Sequence, residues 1–104
     1  MKHVNYQDVE GVRMNSEGAH NVLLRTVIGE DDGAPNFFMR VVEFDDNGSS
    51  PHHSHPWEHE NFIVSGTGTL EVDGKTVELK PGDVTYVPPD AEHCFRTKGP
   101  MVML

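Results

Sequence analysis

The stretch His52-His53-Ser54-His55-Pro56-Trp57-Glu58-His59-Glu60 holds four of the seven histidines in the chain. Imidazole ligates transition metals as its neutral base. In an extended segment, residues two apart face the same way. His53, His55 and His59 therefore converge on one side, with His52, Glu58 and Glu60 on the other, and Pro56 as a local interruption. A further histidine, His93, follows the turn signal Pro88-Pro89-Asp90 in a separate strand candidate. Three imidazoles from one segment and one from a facing strand would enclose a single ion. The competing reading is a histidine-rich surface tract that holds metal adventitiously.

The elements that would position these groups read as short strands. β-branched and apolar runs cover Val22–Ile28, Asn36–Asp45, Trp57–Ser65, Leu70–Val72, Lys75–Leu79, Asp83–Val87, His93–Thr97 and Met101–Leu104. Turn signals separate them every 8 to 12 residues or so, the spacing of an all-β chain. Asp73-Gly74 is the strongest hairpin signal, and Asp45-Asp46-Asn47-Gly48 reads as a strand end. No long amphipathic helix, internal repeat or linker is evident. The expectation is one all-β domain over residues 1–104, a small antiparallel barrel or jelly roll. Residues 1–21 carry few apolar positions and are expected to lie along its outside or to exchange with a partner chain.

Two spaced motifs sharpen this. Gly48-x4-His53-x-His55-x3-His59-x6-Gly66 and Gly82-x5-Pro88-x-Asp90-x2-His93-x3-Thr97 together resemble the two motifs of the cupin superfamily, across residues 36–97. That resemblance implies a double-stranded β-helix with a metal in its mouth. One residue fewer than usual separates Gly48 from His53, and three positions depart from the usual pattern: His59 stands where glutamate is usual, Asp90 where glycine is usual, and Thr97 where asparagine is usual. Glu60 is the alternative acid, but its spacing to Gly66 and its parity are wrong, so the expected ligands are His53, His55, His59 and His93. The chain then resembles the small four-histidine cupins that bind manganese. One divalent transition metal per chain is implied, manganese or iron first, with zinc, nickel or copper as alternatives.

Four neutral ligands leave the whole charge of a divalent ion uncancelled. On an octahedral ion they leave two positions for substrate and dioxygen. The expected function is a metal-dependent oxidoreductase of dioxygenase type acting on a small organic molecule. The alternatives are a metal-dependent isomerase or decarboxylase, or a ligand-sensing cupin without activity. Phe37, Phe38, Met39, Phe62, Ile63, Met101 and Met103 are candidate pocket walls or plain core. Trp57 is a candidate shield, and Arg40 either a pocket cation or an outward interface residue.

The formal charge of −9 argues against nucleic acid and against an anionic membrane surface. No apolar stretch approaches the roughly 20 residues of a membrane helix. The opening MKHVNYQDVEG lacks an apolar export segment, which gives a cytoplasmic expectation. Cys94 is the single cysteine, so no intrachain disulfide forms. The family resemblance further implies a homodimer.

Overall fold

The computed structural model describes residues 1–104. Nine strands appear: β1 (Val12–Arg13), β2 (His20–Ile28), β3 (Met39–Ser49), β4 (His59–Gly66), β5 (Gly68–Val72), β6 (Lys75–Leu79), β7 (Val84–Val87), β8 (His93–Arg96) and β9 (Met101–Met103). Every pairing is antiparallel. The sheet runs β6-β5-β8-β3-β9-β4-β7, with β2 on β3 and β1 on β2. It curls so that one face becomes an interior. Val22, Phe44, Ile63, Leu70, Leu79, Val87, Phe95, Met101 and Met103 close on one another there. No helix is long and apolar enough to cross a membrane.

Turn chemistry explains the hairpins. Asp73 and Gly74 both have positive φ, 48° and 83°. A two-residue hairpin of the mirror-image type needs that at both positions, and Asp-Gly supplies it cheaply. Gly66 ends β4 with φ at 78°, and a Cβ there would lie 2.0 Å from the Pro100 carbonyl oxygen. Only glycine allows β4 to turn so close to the segment entering β9.

Three expectations are corrected. Asp45–Gly48 does not end its strand, because β3 runs on to Ser49. Asn47 takes φ at 54° and its N–H donates to the Lys98 carbonyl at 2.8 Å, so the strand bends without losing its pairing. This bend carries β3 from β9 across to β8, where Ser49 pairs with Arg96. Residues 36–38 are outside β3, after Pro35, and Phe37 and Phe38 stand exposed rather than in a wall. His20 and Asn21, expected only as the end of the weakly apolar segment 1–21, open β2, with Asn21 at positive φ.

The N-terminal segment lies along the outside of its own chain. Val12 and Arg13 pair with Leu24 and Leu23, and Lys2 forms an ion pair with Asp32. Val4 and Tyr6 sit over Val27, Ile28, Val41 and Leu104 around a cavity of ≈350 Å³. The outward face of β2 and β3 is covered in this way.

Candidate metal centre

Residues 50–58 are irregular, not extended. The only sheet contact in the stretch is a single bridge between His53 and His93. Pro51 and Pro56 lack the N–H that a continuous ladder requires. The convergence of histidines thus comes from three sources. His53 is anchored by mutual backbone hydrogen bonds with His93, at 3.1 and 2.9 Å. His55 is held through its carbonyl, which accepts from Asp90 N–H at 2.7 Å. His59 opens β4 and faces inward with Asn61 and Ile63.

The Nε2 atoms of His53 and His55 are 2.9 Å apart, and those of His55 and His59 are 3.2 Å apart. Donor atoms of His53, His55 and His93 all lie within 4.8 Å of one another. His59 joins this group through His55, and its ring centroid is 5.6 Å from that of His93. Two nitrogens each about 2.1 Å from one ion are about 3.0 Å apart at a right angle and about 3.4 Å apart at the tetrahedral angle. The observed separations match the spacing that ligands of one ion would have.

Those tautomers follow from the outer contacts. His53 Nδ1 lies 2.7 Å from the Pro51 carbonyl, and His93 Nδ1 lies 3.0 Å from that of Ala91. A carbonyl only accepts, so each Nδ1 carries the proton and each Nε2 is left with a lone pair. Nδ1 of His55 is buried and has no hydrogen-bond partner. The Trp57 backbone is near enough to favour its protonated form but not to complete a bond. The indole of Trp57 lies flat on the His55 ring, centroids 4.6 Å apart and planes 2° apart. Trp57 is thus an outer cover that fixes one imidazole plane.

Burial sets the charge state of the cluster. It pushes His59 down to about 4, helped by the neighbouring charges of His55 and Arg40. His55 is lowered as well, chiefly by burial and then by His53 and His93. His55 and His59 are therefore driven toward the neutral form, the form a metal needs.

The remaining candidates fall into place around this cluster. Glu60 pairs across to Tyr86 on the outward face of β4 and β7, away from the imidazoles. Burial and then Glu58 raise its carboxyl. His52 is also outside, 3.3 Å from Glu71 and 3.0 Å from Glu92. Met101, Met103 and Ile63 are core, and Phe62 faces outward. Cys94 is buried with its thiol donating to the Ser50 carbonyl at 3.2 Å, an inert packing position. Asp90 adopts φ at 66°, the left-handed turn that glycine usually supplies. Thr97 Oγ1 accepts from Gly48 N–H and donates to the Asp45 carbonyl, both at 3.1 Å. It ties the end of the second motif to the start of the first. Asn61 and Thr85 were not read as site residues from the sequence, although the parity of β4 could have placed Asn61.

The sequence profile described as "Cupin domain" matches residues 40–104. The chain belongs to the cupin family. It is 35% identical to acireductone dioxygenase of Bacillus anthracis over 74 residues, which cover 66% of this chain and 41% of that enzyme. The cupin therefore spans less than half the length of the curated relative. Among solved structures, the polyketide cyclase RemF from Streptomyces resistomycificus superposes with a TM-score of 0.91 at 33% identity, covering 99% of this chain and 75% of that one. A predicted oxalate decarboxylase from Thermotoga maritima superposes with a TM-score of 0.86 at 19% identity, covering 98% and 94%. The last likeness is one of fold.

Proposed function

We propose that this cupin is a metal-dependent oxidoreductase of dioxygenase type that acts on a small organic molecule, with His53, His55, His59 and His93 as the metal ligands. The observation that carries this is the set of inward imidazole nitrogens at ligand spacing, two of them with their lone pairs fixed by Pro51 and Ala91. Manganese or iron, once bound, would supply a Lewis acid with two further positions for substrate and dioxygen. The chain itself provides the rest. Pro51 and Ala91 hold the Nδ1 protons and so the direction of two rings. Trp57 covers His55. No carboxylate enters the cluster, so the full positive charge of the ion faces the guest. The sequence similarity to an acireductone dioxygenase supports the reading.

A second reading is favoured by the match to RemF, which covers nearly the whole chain. In it the same centre would orient an enolisable chain for ring closure without dioxygen. Both readings need the metal, and only the first consumes oxygen.

The test is elemental analysis of untagged protein purified without added metal, beside a His53→Ala/His59→Ala variant, followed by oxygen uptake. About one manganese or iron per chain, lost in the variant, with oxygen consumed on enols or phenols, is the expected result. Metal retained in the double variant would end the assignment of these ligands. Full metal occupancy with no oxygen uptake across that panel would leave the cyclase reading in place of the dioxygenase.

A further inference from the structure

Arg40 is the one arginine of four without a carboxylate partner. Arg13 pairs with Asp45, Arg25 with Glu43, and Arg96 with Glu71. Arg40 is an exposed residue whose guanidinium makes no ion pair, so in a chain with charge −9 it is open to an anion from solution.

Its position follows from strand register. Val42 on β3, Met103 on β9 and Ile63 on β4 form one row across the sheet. Met103 and Ile63 are core, and Val42 packs against them. Arg40 lies two residues from Val42 on the same strand, so its side chain leaves from the same interior face. The equivalent step on β4 leads from Ile63 to Asn61, and one step more to His59. Arg40, Asn61 and His59 thus share the interior at the end of the barrel where the imidazoles meet. Asn61 is held by Thr85, whose hydroxyl donates to the Asn61 carbonyl oxygen at 3.2 Å. That contact uses the Asn61 carbonyl oxygen and not its amide N–H groups. The acids nearest in sequence, Glu58 and Glu60, interact with Tyr86 and each other on the opposite face.

We infer that Arg40, with Asn61 on the same face of the sheet, is a carboxylate-recognition site in the mouth of the barrel, so that the guest of this centre is a small organic acid. The inference deepens the metal-centre reading and rests on it for the other end of the substrate. A guanidinium presents a planar fork of N–H donors that a carboxylate fills in two places. A fixed cation beside a divalent ion with only neutral ligands repels cationic guests and selects an anion. Arg40 is a specificity-determining residue under this assignment.

The experiment is calorimetric titration of the cupin with benzoate and with its neutral counterpart benzamide. It is run on manganese-loaded and metal-free protein, with manganese content measured for each sample. Arg40→Met should weaken benzoate binding about 10- to 100-fold, the range set by losing a hydrogen bond to a charged group, and leave benzamide unchanged. Arg40→Lys should restore part of the loss and also covers a failure of the Met variant to fold. Arg13→Met, which removes the same charge from the outside, should bind benzoate like the parent. Equal benzoate affinity in parent and Arg40→Met, no preference for benzoate over benzamide in the parent, or an equal loss in Arg13→Met would each overturn the inference. If the parent takes up no manganese, the metal-centre reading fails by itself. The metal-free titrations then still decide Arg40, because the same contrast between parent, Met and Lys variants applies.

Discussion

Thr97 shows how a single atom ties the two halves of the site together. Its hydroxyl is both acceptor for Gly48 N–H and donor to the Asp45 carbonyl, and its own N–H donates to the Gly48 carbonyl at 2.8 Å. Gly48 leads into the segment carrying His53 and His55, and Thr97 closes the strand that begins with His93. Thr97→Val keeps the shape but removes both hydroxyl contacts. It leaves a buried Gly48 N–H without a partner, which costs about 1–3 kcal/mol. The expected outcome is a denaturant midpoint lowered accordingly with an unchanged slope; a midpoint equal to the parent's would sink the role given to Oγ1. Thr97→Ser keeps the oxygen and should recover most of the loss. Trp57 makes a different contribution. It is 57% exposed and still stacks flat on His55. Trp57→Ala is therefore expected to leave global stability nearly unchanged while weakening metal retention against a chelator by a few-fold, read as the rate of metal loss. Unchanged retention would reduce Trp57 to surface packing.

At the scale of the elements, the strands were largely legible in advance and the path between them was not. Val22–Ile28, Leu70–Val72 and Lys75–Leu79 alternate or run apolar between strong turn residues, and local chemistry decides them. The bend at Asn47 was not legible, because Asp-Asp-Asn-Gly is equally good as a stop and as a kink. What keeps β3 going is a hydrogen bond from Asn47 to Lys98, fifty-one positions away, which no local pattern reports. The histidine stretch divides in the same way. The identities and spacing of His53, His55, His59 and His93 singled them out, but the extended-strand parity used to align them holds only from His59 onward. Around His53 and His55 the alignment comes from the His93 bridge and the Asp90 turn. Gly66 gives the element-level test. Any Cβ there meets the Pro100 carbonyl at 2.0 Å, and φ is 78°. Gly66→Ala should cost ~3 kcal/mol or more, in the class of severe backbone strain. Gly74→Ala, with a positive φ but nothing within 4 Å, should cost only about 1 kcal/mol. Thermal melts of the two variants should therefore separate clearly; equal losses would mean that backbone conformation, not close approach, governs both turns.

For the whole molecule, the site puts a cluster of imidazoles inside an acidic protein, and the two whose titration is lowered shape its response to pH. In the metal-free chain His59 is held near 4, against 6.5 when unfolded, and His55 is shifted in the same direction. As pH falls from about 6.5 toward 4, the unfolded chain takes up protons on these histidines and the folded chain does not. Stability is lost across that window, and the His59 contribution to the loss ends below about 4. Asp32 and Asp83 are held below their ordinary 3.8, Asp32 chiefly by a hydrogen bond from Lys2 and Asp83 chiefly by one from the Lys80 backbone, so their contributions disappear only at lower pH. Glu60 is raised above 4.5 by burial and Glu58 and works in the opposite sense, but it is exposed and its effect is small. The melting temperature of chelator-treated protein should therefore fall steadily between pH 6.5 and 4, and His59→Gln should flatten that slope. A bound ion adds to the native state by mass action, about 2.7 kcal/mol at a free concentration one hundred times its dissociation constant. Protons compete with it for the same lone pairs, so the metal-loaded protein should melt higher at pH 7.5 and converge on the metal-free curve by about pH 4, as the imidazoles take up protons. A metal-free slope identical in parent and His59→Gln would remove His59 from the buried cluster, and metal-loaded and metal-free curves that stay parallel down to pH 4 would mean that the ion is held by groups other than these histidines.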